Sequence, residues 1–562
     1  MPRRLEPGAA PAMSSPALHL RAPLLWVLVP LMAGLTAARI WPAPAGGLGP
    51  LLGAAGLAGI GALWWARRPG RGAALAWGCS LSMAAALGGF VLLHTRHPAW
   101  HRIESRPPRE ITVTVRVQQA FPAAAATRSL TGLAEITATS AADQDLLGRR
   151  IYFSAIRRIS VPPQRSGSYV IRGVLEALPR ETGGPGFNSY LANLGIRQRI
   201  TRAQLIAEAA PPTAFQQFCA RAQDRLEGIL RHGLAGQPQT ASLYLAMLLG
   251  EKAVLSAEQQ NAFMRSGTFH IFSISGLHVG VIGMAIYVSC NLLRVPRRPA
   301  VVITLIVLWL YVAITGASSP AVRAFLMIAF VLATEVFRLP GNALAALVAA
   351  ALVTLLLDPL QLFSTGFQMS YAVVVALVAM GRPLGEKWLA AWRPFALLPP
   401  ADWRWPHRLI AGGGRWILGM TAACWTAFLA STASGIGYFQ VFSPGALLAN
   451  LVIIPLSSVT IWTGFISLVA GLPGLLPLSA LANGAAALII RAMDWLLMAG
   501  IDLPGVYFNA HFRSDWLAPV SLVLMTAAFL AGAAGRWAPR YGGYWLPAGT
   551  LALLLILGVK FG

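Results

Sequence analysis

Long apolar runs separated by short polar turns dominate this chain, and one region in its first half breaks the pattern. Apolar segments lie near 20–41, 46–66 and 73–94, and ten more lie near 270–293, 299–316, 319–337, 342–358, 365–381, 415–434, 444–471, 475–499, 516–534 and 544–560. Each is about as long as a helix that crosses a bilayer core. From about 101 to 210 the period becomes two: Ile111, Val113, Val115 and Val117 alternate with Thr112, Thr114, Arg116 and Gln118. Similar runs recur at 130–139, 149–156, 167–177 and 197–207. Five short strands with turn signals between them predict a small barrel, for which the five-stranded OB-fold is the natural candidate. Over 213–234, Phe215, Phe218, Ala222, Leu226 and Ile229 fall at helical spacing opposite Arg221, Arg225 and Glu227. That is an amphipathic helix, lying on a membrane surface or packed on the barrel; a short helix over 240–250 follows.

The pattern predicts a polytopic α-helical membrane protein with an inserted small all-β, OB-fold-like soluble domain. Its expected parts are a disordered basic lead (1–19), N-terminal transmembrane helices (20–94) and the barrel (101–210). Amphipathic or interfacial helices (213–260) and a transmembrane domain (264–562) complete it.

Composition agrees: of 562 residues 56% are hydrophobic and 11% charged. The net charge is nevertheless +24, and lysine occurs only at Lys252, Lys387 and Lys560, so the cations are nearly all arginine. Arginine's planar fork suits phosphate, although basic loops that hold topology explain much of the excess. Arginines gather at 67–71, 294–298, 338, 382–415 and 535–540, whereas 316–320, 358–364 and 435–443 carry none. By the positive-inside rule the N-terminus and the basic loops are cytoplasmic and the barrel lies outside. The first apolar segment reads as a retained anchor, since no small-residue cleavage site stands out. Cys79, Cys219, Cys290 and Cys424 make neither metal-type spacing nor a disulfide framework.

The densest candidate chemistry is in Met264–Val281, where Ser273, Ser275 and His278 sit in an apolar run beside Gly276, Gly280 and Gly283. Two readings stay open: a close helix-packing seam, or the polar lining of a passage, since polar side chains at membrane depth face an interior or a watery path. Ser319-Pro320 reads as N-cap and first helical residue, which puts Arg323 in a first turn at the outer mouth. A cation there opposes the helix dipole, so it either meets phosphate or snorkels to headgroups. Gln368, Ser370 and Asn450, the last near a span-breaking Pro455, are further polar points at depth. In the barrel, Arg116, Arg172, Tyr152 and Tyr169 are candidate contacts for single-stranded nucleic acid, with Phe153, Phe187 and Tyr190 nearby; the competing reading places most rings in the core.

Other chemistries fit less well. A Ser275–His278 nucleophile–base pair has no carboxylate near in sequence. The metal-like spacing of His94, His97 and His101 is interrupted by Pro98. Asp358, Asp494 and Glu335 would serve a proton-coupled transporter, and no phosphate-binding G-x-x-x-x-G-K-[ST] loop occurs. No catalytic residue, metal or cofactor is therefore expected.

The run LGEKAVLSAEQQNAFMRSGTFHIFSISGLHVG (249–280) resembles the signature of the ComEC family, the inner-membrane channels of bacterial DNA uptake. TGASSPAVRAFLM (315–327), NALAALVAA (342–350), DPLQLFSTGFQMSY (358–371) and LLANLVIIPL (447–456) are similar to its further blocks, in the same order. GGPGFNSYLANLGI (183–196) is similar to the family's segment at the exit from its soluble domain, so the likeness covers roughly 100–500. The resemblance implies a channel that passes single-stranded DNA to the cytoplasm in natural transformation, without catalysis of its own. It implies as partners the lipid bilayer, a periplasmic DNA receptor and a cytoplasmic translocase or ssDNA-binding proteins. Many relatives carry a C-terminal metallo-β-lactamase-like domain with an H-x-H-x-D-H motif; no such run occurs here, so strand degradation, if it occurs, falls to a separate nuclease or to an unrecognised site. The alternative is a secondary transporter for a small anionic or lipid-linked solute.

Overall fold

The computed structural model describes residues 22–44, 46–98, 107–121, 129–156, 167–178, 187–250, 257–272, 274–338, 341–539 and 542–562. The expected basic lead (1–19) lies outside them.

Three helices open the chain, α1 (Leu25–Ile40), α2 (Gly49–Ala66) and α3 (Arg71–Arg96). Small residues bring α1 and α3 together: a Cβ on Gly34 would lie 1.8 Å from the Ala86 carbonyl oxygen, so only glycine permits the crossing.

All five predicted strands form: β1 (Arg109–Phe121), β2 (Ser129–Ala138), β3 (Arg150–Ile156), β4 (Ser168–Ala177) and β5 (Gln198–Ala210). They close into a barrel in the order β1-β2-β3-β5-β4, with β3 and β5 parallel and every other pair antiparallel. The alternation seen in the sequence is the inside–outside alternation of the wall. Val113, Val115, Ile136, Ile151, Phe153 and Ile171 fill the interior. A short helix α4 (Phe187–Asn193) between β4 and β5 covers part of the outer wall, setting Leu191 against Leu133 and Ile196.

The amphipathic segment is α5 (Ala214–Arg231), opened by a capping box in which Thr213 and Gln216 satisfy each other's backbone N–H. It buries Cys219, Ile229 and Leu230. Phe215 and Phe218, which periodicity assigned to the apolar stripe, stay exposed, because the helix is gripped mainly at its C-terminal end, where Ile229 meets Gly471. The next helix, α6 (Pro238–Leu249), is buried from Ala241 onward; α7 (Ala257–Arg265) follows.

The remainder is a helical bundle: α8 (Gly276–Leu292), α9 (Arg297–Ile314), α10 (Ser319–Val336), α11 (Ala343–Leu357), α12 (Thr365–Ala376), α13 (Arg382–Ala391), α14 (Trp405–Ser434), α15 (Ala446–Gly471), α16 (Leu476–Ile501), α17 (Leu517–Ala534) and α18 (Leu546–Gly558). Among the described residues nine helical stretches are long and apolar enough to cross a membrane, and four apolar helices are shorter. The chain is a multi-pass membrane protein.

Three expectations differ from the structure. The segment from 270 is not helical from its start: a 3₁₀ turn, Phe269–Phe272, precedes α8. Most of the predicted loop 382–415 is helix, since α12 continues through a π turn (Leu377–Gly381) into α13 and α14 begins at Trp405. Pro455 does not break its span; α15 runs through it. A small sheet also forms that no alternation announced, from β6 (Val441–Phe442), β7 (Phe508–Phe512) and β8 (Val559–Phe561). Its strands are too short for a period to register.

Candidate functional site

Ser318, Ser319 and Pro320 begin α10, with Ser318 as the N-cap residue and Ser319 already helical, one position earlier than the sequence implied. Arg323 follows one turn on. Side chains on a helix lean toward its N-terminus, and the Arg323 guanidinium does so: Nη1 donates to Ser319 Oγ at 2.6 Å. Arg323 is 1% exposed, not open at a mouth as expected, because the first turn of α12 closes over it. A Cβ on Gly366 of that turn would lie 3.1 Å from Nη2. The guanidinium thus sits between the N-terminal turns of two helices, whose free N–H groups and dipoles are positive. No carboxylate among the described residues bonds to it, and Nε has no hydrogen-bond partner there. A buried cation so placed is strongly disfavoured unless an anion joins it.

From Arg323 a chain of hydrogen bonds reaches Asp358, and an ion pair carries it on to the barrel. Ser319 Oγ donates to Gln361 Oε1 at 2.8 Å, and Gln361 Nε2 donates to Asp358 Oδ2 at 3.2 Å. Asp358 caps the 3₁₀ turn Pro359–Phe363 by accepting from the Leu360 N–H. Its Oδ2 also meets Nη1 of Arg150, on β3, at 3.7 Å. Beside this link Arg39 of α1 donates to Asn193 Oδ1 of α4 at 2.8 Å, and its guanidinium lies over the Phe363 ring at 4.4 Å. Gln368 belongs to the same corner: Nε2 donates to the Leu362 carbonyl at 3.0 Å and Oε1 accepts from the Tyr438 hydroxyl. Ser370 is half-buried further along α12. Sequence reasoning named Arg323 and Gln368 but missed Gln361, Arg150, Arg39 and Tyr438 as their company. The polar residues of DPLQLFS were the available signal.

The Ser275–His278 pair does not share the face of a continuous helix. Ser275 precedes α8 as its N-cap residue, and His278 Nδ1 accepts from the Ser275 N–H at 3.3 Å and lies 2.8 Å from Ser275 Oγ. Because Nδ1 accepts from a backbone N–H, the hydroxyl donates to it and the ring proton is on Nε2. His278 is wholly buried, and Nε2 meets no partner among the described residues. The pair closes a helix end; as nucleophile and base it has no group to orient the ring. Ser273 lies outside the described residues.

Of the three glycines, Gly276 faces Ala324 and Gly283 faces Leu308, where added Cβ atoms would lie 3.7 Å and 3.2 Å from their side chains. A Cβ on Gly280 would meet open space, so it is not part of the contact seam. Three residues fall short of a 3.6-residue turn, and Gly280 is rotated off the Gly283 line. Asn450, near the start of α15, is half-buried and its Oδ1 has no partner among the described residues.

On the barrel, Arg116 is exposed on β1. Arg172 is paired, its Nε lying 2.7 Å from Glu110 Oε1, and that hydrogen bond holds the Glu110 carboxyl below its ordinary range. Tyr169 is 5% exposed and belongs to the core; alternation points it inward between Val115 and Ile171, which removes it as a ligand contact. Tyr152 is half-buried and meets Phe187 edge-on at 5.2 Å, and Phe187 stacks with Tyr190 at 6.0 Å. Of the histidines with metal-like spacing, His94 contacts the Phe90 carbonyl through Nδ1 at 3.0 Å and stacks on its ring, and His101 lies outside the described residues.

Comparison with known proteins gives three matches. A family model described as Competence protein matches residues 247–535, from the end of α6 to the end of α17, and so includes Arg323, Asp358, Gln361 and Gln368. ComE operon protein 3 of Bacillus subtilis (strain 168) is 32% identical over 141 residues, 25% of this chain and 18% of that protein. Recombination protein 2 of Haemophilus influenzae (strain ATCC 51907 / DSM 11121 / KW20 / Rd) is 27% identical over 227 residues, 38% of this chain and 26% of that protein. The alignments therefore span about a quarter or less of these relatives' lengths. No solved structure matches.

Proposed function

The chain belongs to the competence protein family, and from that premise we propose that it is the inner-membrane channel through which single-stranded DNA reaches the cytoplasm in natural transformation. A DNA strand carries a charge on every nucleotide and cannot enter hydrocarbon, so its route has to supply cations and polar groups. The observation that carries the proposal is the chain Arg150–Asp358–Gln361–Ser319–Arg323, which joins the barrel to a buried arginine without a carboxylate. In this reading Arg323 takes a phosphate, and Ser275, His278, Gln368, Ser370, Asn450 and Ser273 line or shape the path. The barrel, whose strand order and parallel β3–β5 pair support an OB-fold-like reading, receives the strand outside the membrane. The arginine-rich turns and the N-terminus are then cytoplasmic.

The protein acts as a conduit and not a catalyst. A periplasmic receptor delivers DNA, and a cytoplasmic translocase or ssDNA-binding protein draws it in. The test is uptake of labelled DNA by cells lacking this gene, complemented with wild type or with Arg323→Gln. Loss of internalisation on deletion, restored by wild type and not by Arg323→Gln, is expected. Normal internalisation in the deletion strain removes the channel.

A further inference from the structure

We propose that Tyr152, Phe187 and Tyr190 form a base-stacking platform for single-stranded nucleic acid, placed where the barrel meets the helix bundle. The inference rests on the proposed function in one respect, the substrate class, and assigns to it a seat on the barrel.

The three rings form one continuous group, Tyr152 against Phe187 at 75° and Phe187 against Tyr190 at 25°. Phe187 is 48% and Tyr190 41% exposed. Tyr152 rests against the Leu133–Leu191–Ile196 cluster that anchors α4, and that cluster does not include Phe187 or Tyr190. Exposed rings lose favourable burial, and a nucleobase restores it, since every base presents a flat π-face.

The surrounding charge selects a polyanion. Arg150 shares the outer face of β3 with Tyr152, two residues along the strand, and Arg199 is the register neighbour of Tyr152 on β5. Arg39 reaches Asn193 at the end of α4 and lies within repulsive range of Arg197. Arg150 and Arg199 thus flank Tyr152, with Asp358 and Glu176 offsetting their charge, and Arg39 and Arg197 lie toward the far end of α4. Bases on the rings set the backbone phosphates among these guanidinium groups, at the start of the polar chain to Arg323. Tyr169, on the opposite wall, points into the barrel and offers no ring to a base. A duplex keeps its bases stacked internally, so the platform favours a single strand.

The test uses the full chain in nanodiscs, titrated with labelled oligothymidine and with an abasic strand of equal length and charge. Wild type is expected to bind oligothymidine more tightly. The double variant Phe187→Leu, Tyr190→Leu should bind it about tenfold more weakly while its abasic affinity barely moves. Arg323→Gln should leave the preference for bases intact, which separates failure of the platform from failure of the conduit. Phe187→Trp keeps a ring, so it should retain binding, and the fluorescence it adds to that of the 18 native tryptophans, read as the difference from wild type, should be quenched by oligothymidine and not by brominated lipid. Equal wild-type affinity for the two strands, an unchanged preference in the leucine variant, or quenching by brominated lipid alone overturns the proposal. The last outcome would make the rings a membrane contact.

Discussion

Arg323 donates to Ser319, one turn back on its own helix, and to no carboxylate among the described residues. A buried cation in that position is held at a cost to stability, and such costs persist in proteins where function requires them. Arg323→Gln should therefore leave thermal stability in detergent unchanged or raise it, by up to about 2 kcal/mol, while DNA uptake falls sharply. A clear loss of stability together with normal uptake would mean that the arginine is structural.

Gly366 supplies the other wall of that site, where even a Cβ would lie 3.1 Å from Nη2 and press on the guanidinium. Gly366→Leu should push the guanidinium aside and reduce uptake, and combining it with Arg323→Gln should add little to either single variant. Additive losses would show that the two residues act separately.

The Arg150–Asp358 contact is long and partly exposed, so its direct contribution is small, about 0.5 kcal/mol. Its value lies in holding the barrel against the polar chain. Arg150→Asp and Asp358→Arg should each reduce uptake with little change in melting temperature. The exchanged pair should recover part of it, although Leu360 loses its cap. No recovery in the exchanged pair would count against coupling through this contact.

His97 follows α3 beside the same junction, and burial is the main cause of its lowered pKa; Arg150 and Arg96 add to the effect and Asp358 opposes it. The folded state then holds the neutral ring while the unfolded chain takes a proton more readily. Stability is full above the ordinary histidine value of 6.5 and is lost as pH falls from there toward the lower folded value. Melting temperature should drop with acidification across that window, and His97→Gln should flatten the drop. An unchanged slope in the variant excludes His97 as its source.

Gly280 and Gly283 should respond in opposite directions. Gly283→Leu drives a side chain into Leu308 and should cost about 1–3 kcal/mol. Gly280→Ala meets open space and should be neutral or stabilising by about 0.5 kcal/mol, through helix propensity. Paired thermal melts in detergent decide between them.

Periodicity and charge carried much of the architecture. The strands at Ile111–Val117 and the other four barrel segments follow from alternation, and the bundle helices follow from uninterrupted apolar length, because both signals are local. The ordered motifs likewise carried the family, since they are contiguous in the chain. What the sequence could not determine is where each polar group ends up. Tyr169 and Tyr152 read alike in sequence, but the pleat turns one into the barrel and leaves the other beside Phe187. Ser275 and His278 read as neighbours on a helix face, but the helix begins between them. Gln361, Asp358 and Arg150 became partners of Arg323 only through the folding of a 3₁₀ turn and the docking of a separate domain. Local sequence determines backbone conformation residue by residue, whereas a polar chain across three elements depends on long-range contacts, and those exist only once the tertiary structure has formed.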